Sequence, residues 1–191
     1  MSSQILEKVQ SFLKRSTDDS VDISEELIEE FGELCKSAFR KQFTNKRDKV
    51  FKTRMSNIGK PLCQLQMEKS DTEPEGQPYN NKMRNTFGDL IEALAVTIVK
   101  ASGIKVDSAQ KPVSYKFKNK KINGTYDIEI DKKIYDIKSA SPYAFEHKFG
   151  DEGGFKSIVE DDAFGYLSQG YLYSESENKK FGGWIVINKS T

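Results

Sequence analysis

Two short alternating segments constrain this chain more than anything else in it. From Tyr126 to Ile130, the apolar residues Tyr126, Ile128 and Ile130 alternate with Asp127 and Glu129. From Ile134 to Lys138, Tyr135 and Ile137 alternate with Ile134, Asp136 and Lys138. Period 2 marks a β-strand, and Asp131-Lys132-Lys133 between the segments is a short polar turn. The two segments are expected to form a hairpin. Asp136 and Lys138 then share one face of their strand, about 7 Å apart along it, and pairing can bring Asp127 alongside. Two carboxylates converging on a sheet offer hard oxygen ligands to a divalent cation, and a nearby ammonium can position or activate a water. Metal-dependent phosphodiester hydrolysis needs these groups.

The rest of the chain bounds the setting. Its 191 residues suffice for one domain with a sizeable core. No apolar run reaches the roughly 18 residues of a membrane span, and the N-terminus lacks the layout of a signal peptide. The expectation is an intracellular, cytoplasmic protein with no membrane partner. Cys35 and Cys63 are expected as free thiols, Cys35 within a packed helix face. Two cysteines cannot supply four ligands to an iron–sulfur cluster or a structural zinc. Net charge is +1, so a basic binding surface has to come from segregation. Residues 36–60 hold Lys36, Arg40, Lys41, Lys46, Arg47, Lys49, Lys52, Arg54 and Lys60 against the single acid Asp48, and Lys116, Lys118, Lys120 and Lys121 form a second run. The acids gather at 17–33, 71–75 and 160–162.

Helical spacing of Ile5, Leu6, Val9, Phe12 and Leu13 predicts a helix over 3–15. A second helix over 22–43 is expected to start at Asp22, with Glu25 as capping-box partner, and carries Leu27, Ile28, Phe31, Leu34, Cys35, Ala38 and Phe39 in one stripe. A short helix follows Pro61, and 69–85, with Pro74, Gly76 and Pro78, reads as a long loop. Residues 87–101 form a helix apolar nearly all round, with Phe87, Leu90, Ile91, Leu94 and Ile98 on one face and Val96 and Val99 on the other. Glu92 is anomalous there, because a buried carboxylate needs a partner. Val113, Tyr115 and Phe117 give a strand ahead of the hairpin. Residues 139–156 read as a loop, 157–174 as a helix, and Gly183 to Asn188 as a last strand.

This order and these motifs resemble the PD-(D/E)XK nuclease superfamily, whose core runs αβββαβ, over about residues 86–188. Asp127 takes the family's first acidic position, Asp136 the second and Lys138 the lysine. Three further features are similar to the branch containing RecB-like and phage-type exonucleases. Gly88-Asp89-Leu90-Ile91-Glu92 matches the acid on the preceding helix. Gln169-Gly170-Tyr171-Leu172-Tyr173 matches a Q-x-x-x-Y helix, whose i, i+4 spacing shares one face. Ser56-Asn57-Ile58-Gly59-Lys60-Pro61 matches an upstream S-x-x-G segment, and Ser139 follows the lysine. Asp136 departs from the commoner glutamate, and the cluster cysteines of some relatives are absent.

The resemblance implies an α/β (α+β) fold with a restriction-endonuclease-like core over 81–191, a mixed sheet flanked by helices, and an N-terminal helical region over 1–80 packed on it. It implies a metal-dependent deoxyribonuclease, an exonuclease in kind, encoded by a phage or mobile element, with DNA as partner. One or two Mg²⁺ or Mn²⁺ ions would be held by Asp127, Asp136, Glu92 and the Ile137 carbonyl, without an iron–sulfur cluster. Lys138, expected as an exposed strand lysine, would orient or deprotonate the attacking water. Gln169 and Tyr173 would support it or hold the strand, and Arg54, Ser56 and Lys60 would contact phosphates. Two alternatives stay open. One is an RNA endonuclease of the viral cap-snatching type, disfavoured because the sole histidine, His147, follows the lysine strand. The other is a non-catalytic nucleic-acid-binding module on a decayed nuclease fold.

Overall fold

The computed structural model describes residues 2–18, 20–44, 51–70, 78–150 and 153–190. Four helices come first: α1 (Ser2–Ser16), α2 (Glu25–Phe43), α3 (Leu62–Lys69) and α4 (Pro78–Ala101). Three strands follow, β1 (Val106–Phe117), β2 (Lys120–Ile130) and β3 (Lys133–Ala140). A short turn α5 (Pro142–Ala144) runs into one π-type turn over Phe145–Phe149, and then come α6 (Phe155–Glu160), α7 (Tyr166–Glu177) and β4 (Lys180–Asn188). The sheet is ordered β1-β2-β3-β4. The first two pairings are antiparallel, and β3 pairs with β4 in parallel. The parallel pair follows from the connection, because a crossover through helices returns the chain in the same direction.

Each sheet face has its own core. Tyr135 and Ile137 of β3 pack with Ile128 and Ile130 of β2 against Ala95, Val96 and Val99 of α4. Ile134 points the other way, joining Tyr126, Ile122 and Met55 against Leu172 and Tyr173 of α7. Alternation in β3 therefore separates the faces as its sequence pattern demands. In β2 it does not, since Tyr126 belongs to one cluster and Ile128 to the other. The helical region is seated on the α4 side. Ile5 and Val9 of α1 and Leu34 of α2 cover that cluster. Asp89 of α4 accepts from Lys41 Nζ at 2.7 Å and from Gln42 Nε2 at 2.6 Å, tying the end of α2 to α4.

Several sequence expectations change. The N-cap of α2 is Ser24, whose Oγ accepts from the Leu27 N–H at 3.4 Å; a serine one residue ahead of Glu25-Glu26 caps the turn more directly than Asp22. α4 starts at Pro78 instead of 87. Proline is favoured in a first turn, and nothing between Tyr79 and Thr86 breaks a helix. Phe87 and Leu94 are exposed, and the packed side of α4 is Ala93, Ala95, Val96 and Val99. Small side chains let this helix lie close on the sheet. The expected 157–174 helix is two, α6 and α7, interrupted at Gly165 with φ 74°, a left-handed backbone that a continuous helix cannot contain. Residues 139–156, expected as loop, hold the end of β3, α5, the π-type turn and the start of α6. Both cysteines are free thiols, Cys35 half-buried and Cys63 exposed. Lys46, Arg47, Asp48 and Lys49 of the basic run, and the acids at 71–75 with Pro74 and Gly76, lie outside the described residues. Among the described residues no helix is long and apolar enough to cross a membrane.

Two glycines allow the segment before α3 to dock. A Cβ on Gly124 of β2 would stand 2.7 Å from Met55 Sδ, and Met55 is fully buried. A Cβ on Gly59 would stand 2.6 Å from Gly165 Cα at the head of α7. Gly124→Ala is expected to destabilise the protein by about 1–3 kcal/mol through overpacking. Trimming the opposing side chain in Gly124→Ala/Met55→Ala should then cost less than the sum of the two single changes, as urea melts of the four proteins will show.

Candidate active site at the opening between two strands

β2 and β3 pair at Ile130–Lys133, Glu129–Ile134 and Ile128–Tyr135. Among the described residues their ladder ends there, while β3 continues to Ala140 against β4. The next residues in register, Asp127 and Asp136, stand where the strands part. Parting leaves backbone groups that must find partners. The Ile137 N–H donates to Asp127 Oδ2 at 2.5 Å. The Thr125 carbonyl accepts from the Tyr173 hydroxyl at 2.7 Å. Farther along the same edge, the Met55 N–H donates to the Asn123 carbonyl at 3.0 Å in an isolated bridge that places Arg54 beside β2. The opening is thus framed by β3, α7 and the 54–56 segment.

Lys138 lies within this frame. Its Nζ is 2.6 Å from Asp136 Oδ2 and donates to Gln169 Oε1 at 3.2 Å. Gln169 Nε2 in turn donates to the Tyr173 hydroxyl at 2.9 Å. Gln169 and Tyr173, one turn apart on α7, therefore connect the lysine to the backbone of β2. The lysine is mostly buried, its side chain 20% exposed, which corrects the expectation of an exposed strand residue. The Lys138–Asp136 contact is an ion pair whose angle falls outside hydrogen-bond geometry, so Asp136 Oδ2 is buried with no donor aligned on it.

Electrostatics set these acids apart from a structural one. Burial pushes the Asp127 carboxyl well above the ordinary carboxylate range, and the charges of Asp136 and Glu92 push the same way. Burial also raises Glu92 against the lowering effect of its hydrogen bond from Gln110 Nε2, 3.1 Å. Burial would lower Lys138, but Asp136 and Asp127 outweigh it and hold the ammonium above its ordinary value. Glu129, two residues from Asp127, is also little exposed to solvent but fully partnered. It accepts from Ser108 Oγ at 3.0 Å, Tyr126 OH at 2.8 Å and Lys179 Nζ at 2.5 Å. Against the cost of burial, these bonds hold its carboxyl below the ordinary value.

A cleft of about 880 Å³ contains Glu92, Asp127, Asp136, Ile137, Lys138, Gln169, Tyr173, Arg54 and Ser56 in its lining. Lys41, Lys52 and Lys121 add positive charge to the same walls. A neighbouring hollow of about 700 Å³ shares Arg54, Ser56, Glu92, Ile137 and Lys138, and extends past Arg84 and Asn85. Lys60 is not among the lining residues of either hollow; its Nζ pairs with Glu68 Oε1 of α3 at 2.8 Å. His147 lines neither, and its ring lies 4.2 Å from that of Tyr143. Lys41, Lys52 and Lys121 lie within the basic runs legible in the sequence. Gln110 carried no sequence signal: it sits in β1 at φ 48°, a left-handed backbone uncommon outside glycine.

The donor set is one that a hard cation can share with water and substrate. Among the described residues no three His, Cys, Asp or Glu side chains are grouped to hold one ion together. Glu92 faces the cleft but one of its oxygens is engaged by Gln110. Two carboxylates remain, one with an oxygen lacking an aligned donor, beside the backbone of Ile137. Mg²⁺ is typically bound through one or two carboxylates together with waters and substrate phosphates, so the set fits such an ion. No family model, curated protein or solved structure matches this chain.

Buried acids without full partners should oppose folding. In metal-free protein Asp127→Asn is expected to raise the melting midpoint by a few degrees, since about 1 kcal/mol moves it about 2–4 °C in a chain of this size. Glu129→Gln should lower it, because three donors lose a charged acceptor. The pH dependence has a definite sign. A carboxyl raised in the folded state contributes stability below its unfolded value, here 3.8, and loses that contribution as pH rises through the raised value. Over that window, acidification should therefore stabilise wild type relative to Asp127→Asn. Parallel pH curves for the two proteins would contradict the assignment.

Proposed function

We propose that this chain is a metal-dependent deoxyribonuclease on a restriction-endonuclease-like core, acting at the opening between β2 and β3. One observation carries the reading. Asp127 and Asp136 take the next register positions where two strands part and line one cleft, Asp136 Oδ2 has no aligned donor, and Lys138 Nζ is 2.6 Å from that oxygen. A buried group of this kind costs stability, and hydrolysis gives it a use that packing does not. The order α4, β1–β3, α7, β4 and the positions of Glu92, Gln169 and Tyr173 on the cleft support the same family resemblance.

Asp127, Asp136 and the Ile137 carbonyl would hold Mg²⁺ or Mn²⁺, with Glu92 beside them. When bound, the ion supplies Lewis-acid charge to a phosphoryl oxygen and acidifies water. The side chains do the rest. Lys138 Nζ orients the attacking water and offers positive charge to the phosphate oxygens as their negative charge builds in the transition state. Gln169 Oε1 fixes the direction of that ammonium, and Tyr173 fixes Gln169. Arg54 and Ser56, together with Lys41, Lys52 and Lys121, line the path of the backbone and contact phosphates without reading sequence. The two adjoining hollows share Lys138 in their linings, which leaves room for a strand. Exonuclease action is what the family resemblance implies.

The test is incubation of labelled linear and covalently closed circular DNA with Mg²⁺, Mn²⁺ or chelator. Linear DNA should be degraded only with metal, and circles should survive. Cutting of circles would replace the exonuclease reading by an endonuclease one, and no cleavage of any DNA would end the nuclease reading. Lys138→Met should lower kcat by at least about 100-fold, the lower range for a positioned donor that stabilises transition-state charge. It should also destabilise the metal-free fold by about 3 kcal/mol, because it strands the buried Asp136 charge. Arg54→Glu and Lys121→Glu should raise KM more than they lower kcat and flatten the salt dependence of binding.

A further inference from the structure

A group of rings that reaches Lys138 through Tyr166 has no part in the chemistry above. Tyr166, the first residue of α7, places its ring 5.2 Å from Lys138 Nζ. The rings of Phe149 and Trp184 stand 5.9 and 6.4 Å from it. Phe164 stacks on it with centroids 5.5 Å apart and planes within 19°. Three of these four rings are half-buried, whereas Phe164 is 55% exposed.

The stack is held in place by its backbone. Both Asp162 carboxylate oxygens are engaged, Oδ1 by the Tyr166 N–H at 2.6 Å and Oδ2 by the Leu167 N–H at 3.0 Å. Gly165, between the two stacked residues, takes φ 74° and packs on Gly59. A cation lies over a face of the outer ring: Lys148 Nζ is 5.4 Å from the Phe164 centroid and donates to Asp161 Oδ2 at 3.1 Å. An exposed aromatic ring on a fixed support, next to cations, matches the physical pattern of a platform for nucleic-acid bases.

We infer that Phe164, backed by Tyr166, stacks on an unpaired base of the strand whose phosphate lies at Lys138, so that the substrate is single-stranded or frayed where it enters the site. The position of that phosphate rests on the nuclease reading; the stacking and the strandedness go beyond it. Within a duplex both faces of a base are covered by its neighbours, whereas an unpaired base in a single strand can turn a π-face to the ring. Stacking tolerates any base, which suits a strand held through its backbone. The link through Tyr166 to Lys138 favours nucleic acid over a protein partner for this ring.

The test measures binding and cleavage separately. Anisotropy with Ca²⁺ in place of Mg²⁺ would follow three DNAs: a 12-nucleotide strand, the same strand with a run of abasic positions, and a blunt duplex. Phe164→Ala and the size-matched Phe164→Leu should both bind the intact strand about tenfold more weakly, the scale of one lost base–aromatic stack. Phe164→Trp should restore binding. Wild type should lose the same factor on the abasic strand, and Phe164→Ala should lose nothing further there. Duplex binding should not change. Melting midpoints and the emission of Trp184, the sole tryptophan, should match wild type in Phe164→Leu. Equal affinities of wild type and Phe164→Leu for the intact strand, or equal losses by Phe164→Ala on intact and abasic strands, would overturn the inference. So would a lysate protein displaced by Phe164→Leu with DNA binding untouched. Metal-dependent cleavage by wild type without base coupling would remove the platform and leave the nuclease. Coupling without cleavage would do the reverse.

Discussion

The site depends on where β2 stops pairing with β3. Three residue pairs join these strands, and beyond them each strand has backbone groups that the other no longer satisfies. The protein fills that gap from three sources. A carboxylate takes the Ile137 amide, a tyrosine hydroxyl from α7 takes the Thr125 carbonyl, and the Met55 amide takes the Asn123 carbonyl. Each repair also delivers a functional group to the opening: Asp127 itself, the Gln169–Tyr173 pair with its hold on Lys138, and Arg54 with Ser56. Fold and site are thus consequences of one interruption in one ladder.

The same interruption explains the electrostatic contrast within β2. Glu129, still inside the paired region, is buried and saturated by three donors. Asp127, just outside it, is buried among like charges and its proton affinity rises. A fold under selection for stability alone has no reason to keep Asp127, Asp136 and Glu92 on one cleft. A lysine held by Gln169 provides part of the countercharge, and on the proposed reading a bound cation would offset the rest of their mutual repulsion. Glycines 59 and 124 serve the same end, since they allow the 54–60 segment to approach α7 and β2 closely enough to close the frame.

Much of this was legible in the residues because it rests on period and local spacing. Alternation in Ile134–Lys138 separates Tyr135 and Ile137 from Ile134, and the two sheet faces divide them the same way. The i, i+4 spacing of Gln169 and Tyr173 becomes a direct hydrogen bond. Features fixed by long-range packing were not legible. Lys138 reads as an exposed strand residue until α7 covers it. Lys60 reads as part of a basic run until α3 brings Glu68 against it. Gln110 reaches Glu92 through an unusual backbone angle, and Tyr166 meets Lys138 because Gly165 breaks what periodicity presents as one helix. The docking of α1 and α2 on α4 likewise follows from Asp89 and from apolar contacts that no motif announces.

The central claim is that the parted strands form a cation site, and Mn²⁺ binding followed by electron paramagnetic resonance tests it most directly. Wild-type protein should take up one or two ions per chain. Asp136→Asn and Asp127→Asn should each lose that binding while remaining folded, and Glu129→Gln should retain it. Equal Mn²⁺ binding by wild type, Asp127→Asn and Asp136→Asn would contradict the account.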